Sequence, residues 1–245
     1  MKVIALIPAR FASTRLPGKL MLDLNGKTVI RRTYEAVKAT GLFADTYVVT
    51  DNNVIFDEVR SFGGNVVMSG TEFECGTDRI ASVLPLVGAA DVYINVQGDE
   101  PFTQKGPLEQ LIGVFEADTR QEVGVCTLRQ QISDPDMIDN PNVVKVITRE
   151  DDTAVYFSRS RVPYNRDGSE VVRYYKHIGI YAFRARALRE FAALLPGKLE
   201  QAEKLENLRF IENGIAVKVV LTDYVNIGID TAEDLERARN SMPVA

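Results

Sequence analysis

Cysteine, histidine and long apolar runs are all scarce in this chain. Its 245 residues include two cysteines, Cys75 and Cys126, and one histidine, His177. Two widely spaced cysteines make neither a metal-binding motif nor a disulfide framework. They read as reduced thiols of a cytosolic protein, with a single disulfide as the other option. No stretch approaches the ~20 apolar residues of a membrane span. The opening apolar run stops at Pro8 and charges follow at once, unlike a signal peptide. Low-complexity segments, heptads and internal repeats are also missing. So is any G-x-G-x-x-G, which disfavours a dinucleotide site. Gly18-Lys19 lacks the rest of a P-loop: position 13 is Ser where Gly is needed, and Leu20 stands where Ser or Thr would hold magnesium.

What is present is a moderately apolar, mildly acidic chain. Apolar residues make up 45%, enough for one sizeable core, and the net charge is −5. That balance argues against a general polyanion or nucleic-acid binder. A cationic pocket inside an acidic protein suits a small anionic ligand.

Strand and helix patterns alternate through the first half, as in right-handed βαβ units. Val3–Ile7 reads as a buried parallel strand. Helical patterns cover 28–40, 54–62, 76–87 and 107–116, with strands at 46–50, 66–68, 92–96 and 123–128. The second half alternates like half-exposed strands at 143–148, 154–157 and 177–183. Helices return at 187–195 and 200–213, then a strand at 216–221 and a last helix from Thr231. This predicts a single α/β domain over 1–245, its middle strands partly forming a small antiparallel lobe.

The loop after the first strand carries Arg10, Arg15 and Lys19 within ten residues. A loop at the carboxyl end of a first strand is where α/β sheets bind ligands. Arg offers a fork matched to phosphate and Lys a point charge, so the three suit a polyphosphate; a solvated basic loop is the plain alternative. Gln97-Gly98-Asp99-Glu100-Pro101 ends another strand at the same sheet edge and would present carboxylates to a divalent cation, or simply turn. Asp230 sits where a helix N-cap is expected, with Glu233 three residues on as in a capping box. His177 heads an apolar strand, where a lone histidine is more often structural than catalytic. Arg159 and Arg161 follow a strand, as surface charge or as a carboxylate clamp. Glu203, Glu206 and Asn207 read as a solvated helix face, with Glu203 and Asn207 on one side.

Together these residues resemble the 3-deoxy-manno-octulosonate (Kdo) cytidylyltransferases over nearly the whole chain. The likeness rests on seven ordered blocks. They are Ile7–Arg10 with Ser13–Lys19, Gly76–Arg79, Asn95–Pro101, Tyr156–Arg159, His177–Tyr181, Leu205–Arg209 and Asp230–Leu235. The resemblance implies a three-layer α/β sandwich with a mostly parallel, Rossmann-like sheet of the nucleotide-diphospho-sugar transferase type. It also implies a lobe within about 129–185 serving dimerisation and substrate. The implied activity joins CTP and Kdo into CMP-Kdo and pyrophosphate, with Mg2+, in a cytoplasmic homodimer that supplies lipopolysaccharide synthesis.

By the same resemblance Arg10, Arg15 and Lys19 hold the CTP phosphates, beside Pro8 and Ala9. Cys75, Gly76, Thr77 and Arg79 lie near the cytosine. Asp99 and Asp230 are implied magnesium ligands. Gln97, Arg159, His177, Tyr181, Glu206 and Asn207 are implied contacts to the sugar acid. The chain departs from the family pattern at Leu20 (usually Pro), Cys75 (usually Ser) and Asn207 (usually Gln). Two alternatives remain: a cytidylyltransferase for 8-amino-Kdo or a sialic acid, and a non-catalytic nucleotide binder on the same fold.

Overall fold

The computed structural model describes residues 1–13, 15–71, 73, 75–169, 171–224 and 227–241. Thr14, inside the first loop motif, lies outside them. Contacts divide the chain into two compact units: Met1–Glu109 with Asn226–Ala245, and Gln110–Val225.

The first unit contains four parallel strands. β1 (Val3–Ala9) is buried along its whole length. It runs between β2 (Asp45–Thr50) and β4 (Val92–Asn95), with β3 (Asn65–Met68) beyond β2. The order is therefore β3-β2-β1-β4. Helices α1 (Val29–Ala39) and α2 (Asn53–Ser61) connect β1 to β2 and β2 to β3. Both are amphipathic and side-chain-capped. The Thr28 hydroxyl accepts the N–H of Arg31, and the Asn52 side chain that of Val54. α3 (Gly76–Ser82) and α4 (Leu84–Val87) return the chain to β4. One helix over 76–87 was expected; it breaks at Val83, beside Pro85, which has no N–H to give.

The strand order reverses direction at β1. Right-handed crossovers then send the connections on either side of β1 to opposite faces of the sheet. The loops leaving β1 and β4 part at this switch point and leave a crevice beyond the carboxyl ends of the strands.

The second unit is mixed. β5 (Val125–Gln131) pairs antiparallel with β8 (Tyr175–Arg184) and parallel with β9 (Val217–Leu221). A hairpin of β6 (Lys145–Thr148) and β7 (Ala154–Ser158) joins β8 at Lys145–Lys176. Helices α6 (Ala185–Ala193), α7 (Lys198–Glu203) and α8 (Leu208–Glu212) complete it. The helix expected over 200–213 is two helices. Lys204 adopts a left-handed conformation (φ 52°) that ends α7, so Glu203 and Asn207 do not share a helix face. In the first unit, α5 (Lys105–Ala117) begins after β4, and α9 (Ala232–Ser241) ends the described chain. No helix among the described residues is long and apolar enough to cross a membrane.

Candidate functional site

The crevice between β1 and β4 is held to shape by main-chain contacts. A Cβ on Gly98 would lie 3.0 Å from the Pro8 carbonyl oxygen, so any larger residue there would push the loop after β4 and β1 slightly apart. The Thr33 hydroxyl of α1 donates to the Gly98 carbonyl at 2.8 Å. The Ile229 N–H donates to the Asp99 carbonyl at 3.0 Å, which brings Asp230 beside Asp99 although they are far apart in sequence.

Asp230 does not cap α9, contrary to the expected Asp230–Glu233 box. The box is one residue later. The Thr231 hydroxyl accepts the Asp234 N–H at 3.2 Å, and Asp234 Oδ2 accepts the N–H of Thr231 at 2.9 Å and of Asp230 at 3.1 Å. The Asp230 carboxylate is thereby left for other partners.

Those partners are the cations of the first loop. Lys19 Nζ donates to Asp99 Oδ2, and to Asp230 Oδ1 at 2.9 Å. Arg15 also reaches Asp230 Oδ1 at 2.9 Å. Lys19 is delivered by a one-turn 3-10 helix that starts from Gly18, in the left-handed region at φ 64°, and is anchored by buried Leu20. Burial lowers the Lys19 pKa, but the charges and hydrogen bonds of Asp99 and Asp230 outweigh it, and the net shift is upward. Arg10 is exposed and has no ion-pair partner among the described residues. Arg10, Ser13, Arg15, Lys19, Asp99 and Asp230 line a cavity of about 250 Å3.

A second hollow of about 130 Å3 adjoins Pro8 and Arg10 and is lined by Phe73, Cys75, Gly76, Arg79 and Gln97. Cys75 does the work of a cap. Its Sγ accepts the Asp78 N–H at 3.4 Å and donates to Asp78 Oδ2 at 3.1 Å, opening α3. Arg79 is buried and bonded to Asp51 (2.9 Å), the Ser69 hydroxyl (2.6 Å) and the Gly70 carbonyl. It ties the loops after β2 and β3 together beneath this hollow. Ala9 and Thr77 are fully buried at the ends of β1 and α3.

In the second unit His177, Tyr181 and Arg159 occupy built surroundings. His177 packs against Tyr181 with the rings tilted by 52° and meets Phe157 edge-on. Thr127 Oγ1 lies 2.9 Å from His177 Nε2, and 3.1 and 2.8 Å from the Ile178 and Ile180 carbonyls. A hydroxyl has one proton and carbonyls only accept, so that proton goes to a carbonyl and His177 Nε2–H donates to Thr127. The acceptor of the neutral ring is then Nδ1. Desolvation lowers the imidazole pKa to about 3.

Arg159 is held from every side. Its N–H donates to Glu203 Oε2 (2.8 Å), its Nε to the Glu203 carbonyl (2.6 Å), and its guanidinium to Pro141 (2.9 Å). Lys145 is buried, and its ammonium is caged by the carbonyls of Asn140 (2.9 Å), Val143 (2.6 Å) and Arg159 (2.5 Å). Glu203 Oε1 also accepts from Ser158 at 2.7 Å, so it is an anchor and not part of a solvated face. Sequence reasoning misses Lys145, whose signal is a lone charge in the apolar run Val143-Val144-Lys145-Val146-Ile147, and takes Glu203 for a solvated residue. Asn207 is buried between α7 and α8, and its Oδ1 has no hydrogen-bond partner among the described residues. Glu206 precedes it in the same link. Neither Cys75 nor Cys126 is in a disulfide among the described residues.

A sequence model of the cytidylyltransferase family matches residues 4–220. The 3-deoxy-manno-octulosonate cytidylyltransferase of Flavobacterium johnsoniae is 55% identical over 239 residues, spanning 98% of each chain. This chain belongs to the Kdo cytidylyltransferase family. The enzyme of that name from Christiangramia forsetii is 53% identical over 97% of this chain and 96% of its own. A solved structure of CMP:2-keto-3-deoxy-manno-octonic acid synthetase complexed with CTP superposes with a TM-score of 0.91, at 38% identity and 98% coverage of both chains. The 4-diphosphocytidyl-2C-methyl-D-erythritol synthase of Anaerococcus prevotii shares the fold alone, at 20% identity, 98% and 97% coverage, and a TM-score of 0.62.

For a Kdo cytidylyltransferase the donor set can be tested against magnesium. Asp99 and Asp230 touch one ammonium, so their oxygens lie within two hydrogen-bond lengths of each other. No cluster of three or more His, Cys, Asp or Glu side chains suited to a metal exists among the described residues. Two carboxylates beside a cation-lined cavity fit magnesium, which takes one or two carboxylates and completes its shell with phosphate and water.

Proposed function

We propose that this protein activates Kdo with CTP, giving CMP-Kdo and pyrophosphate. The observation that carries the reading is the convergence of Lys19 and Arg15 on Asp99 and Asp230, at the switch point of a chain 55% identical to a Kdo cytidylyltransferase. The anomeric hydroxyl oxygen of Kdo bonds to the α-phosphorus of CTP. The bond from that phosphorus to the bridging oxygen breaks, pyrophosphate leaves, and the hydroxyl proton is released.

The residues of the crevice align and neutralise. Arg10, Arg15 and Lys19 offset the charge that builds on the departing pyrophosphate. Asp99 and Asp230 would hold Mg2+, which would supply Lewis-acid stabilisation of the phosphate charge. The hollow over Cys75, Gly76 and Thr77 takes the cytosine, its base held up by Arg79. Gln97, Arg159, His177, Tyr181, Glu206 and Asn207 are the contacts to the sugar acid in this reading. His177 serves as a neutral hydrogen-bonding ring and not as a general base, because its pKa of about 3 leaves it a poor proton acceptor. A cytoplasmic homodimer that supplies lipopolysaccharide synthesis completes the reading; two thiols outside any disulfide suit a reducing compartment.

Pyrophosphate release tests the function, measured for each nucleoside triphosphate with Kdo, 8-amino-Kdo and a sialic acid. Release with CTP and Kdo above the other pairings is expected. Preference for another acid would reassign the substrate, and no release with any pair would leave only nucleotide binding.

A further inference from the structure

Lys19 stands in an unusual place for a phosphate ligand. Its ammonium lies between the two carboxylates proposed for magnesium, bonded to both, and its side chain is only 15% exposed. Two carboxylates this close repel each other unless a cation sits between them. Lys19 supplies that cation, and Arg15 adds a second on Asp230. Two negative and two positive charges leave the cluster neutral, so a divalent ion arriving alone gains little net attraction. It would also have to displace an ammonium that has no phosphate to turn to.

Arrival of a metal with a triphosphate changes that balance. The phosphates offer new acceptors for the N–H groups of Lys19 and Arg15, and Arg10 already lines the same cavity without an ion-pair partner among the described residues. Lys19 leaves a one-turn helix that starts at Gly18, so its flexible stem can turn within the cavity without moving β1. We infer that the Lys19 ammonium holds the divalent-cation position of the nucleotide-free protein, and that the cation enters with the nucleotide, exchanging Lys19 from Asp99 and Asp230 onto phosphate. This deepens the cytidylyltransferase reading and rests on it for the assignment of Asp99 and Asp230.

The test uses Mn2+ alone, read by electron paramagnetic resonance on the full chain without CTP or Kdo. Lys19→Met should bind Mn2+ roughly tenfold or more tightly than the wild type, because the competing charge is gone and the carboxylates are unpaired. Adding Asp99→Asn to Lys19→Met should abolish the gain, which locates the ion. Lys19→Gln repeats the measurement should the methionine variant fold poorly. Mn2+ affinity unchanged in the folded Lys19 variants would overturn the inference. Wild-type turnover with CTP and Kdo is measured separately. Failure there defeats the cytidylyltransferase reading, whereas unchanged Mn2+ binding with normal turnover defeats only the placeholder role of Lys19.

Discussion

Thr231 and Asp234 cap helix α9 reciprocally, each side chain accepting the other's backbone N–H. Burial alone would raise the Asp234 pKa, but the N–H groups of Asp230 and Thr231 and the guanidinium of Arg237 outweigh it and hold the carboxyl below its usual range. The cap therefore works without Asp230. Asp234→Ala should cost about 1 kcal/mol of stability by thermal melting. Asp230→Asn should leave the melting temperature near the wild-type value and cut turnover by about 100-fold or more. Near-normal turnover of Asp230→Asn at ordinary magnesium would remove it from the site. Because the Asp234 pKa is depressed, its contribution is full above the unfolded carboxylate range and is lost as pH falls through the folded value. Asp234→Asn should flatten the acid limb of a stability-against-pH curve.

The single histidine makes its own probe. The folded ring protonates at about 3 and the unfolded ring near 6.5, so the unfolded chain binds more protons between those values. The stability contributed by the neutral imidazole is complete above the unfolded pKa and declines as pH falls toward the folded one. The one imidazole Cε1–H resonance should stay fixed from pH 8 to 5. A titration centred near 6.5 would show an open, unburied ring.

The Lys145 ammonium donates to three carbonyls, of Asn140, Val143 and Arg159, and so ties two segments together. Lys145→Met keeps the stem and removes the donors, which should cost about 3 kcal/mol or more in denaturant titration. Where enough folded protein remains, the KM for Kdo should rise while that for CTP holds. Equal stability would mean that the cage contributes nothing.

The cap at Cys75 is open to exchange. Cys75→Ser should keep or raise stability, since a hydroxyl accepts the Asp78 N–H better than sulfur, while Cys75→Ala should lose about 1 kcal/mol. A large loss of CTP affinity in Cys75→Ser with unchanged melting would give the thiol a role in base recognition that capping does not explain.

Local pattern carried much of the first unit. The buried run of β1, the Thr28 and Asn52 caps and the turn residues after β4 are all local signals, and each element formed close to its expected place. The structure departs from local pattern where one residue's conformation or partner decides. Lys204 turns left-handed and splits the helix over 200–213, which nothing in its identity signals. Both Asp230 and Thr231 are good caps; in the structure Thr231 caps α9 while Asp230 pairs with Lys19 and Arg15. Lys145 is a lone lysine between Val144 and Val146, and Glu203 lies between Ala202 and Lys204; the work of both depends on carbonyls and N–H groups brought up by other segments. Proximity of Asp99 to Asp230 rests on one main-chain bond, Ile229 to Asp99, between distant parts of the chain.

The most direct test of the account is pyrophosphate release by the wild-type chain with Mg2+ and Kdo, compared across CTP, UTP, ATP and GTP. Release with CTP well above the other three, abolished by chelating the metal, is the predicted result. Release that ignores the base, or that persists at full rate without divalent metal, would contradict it.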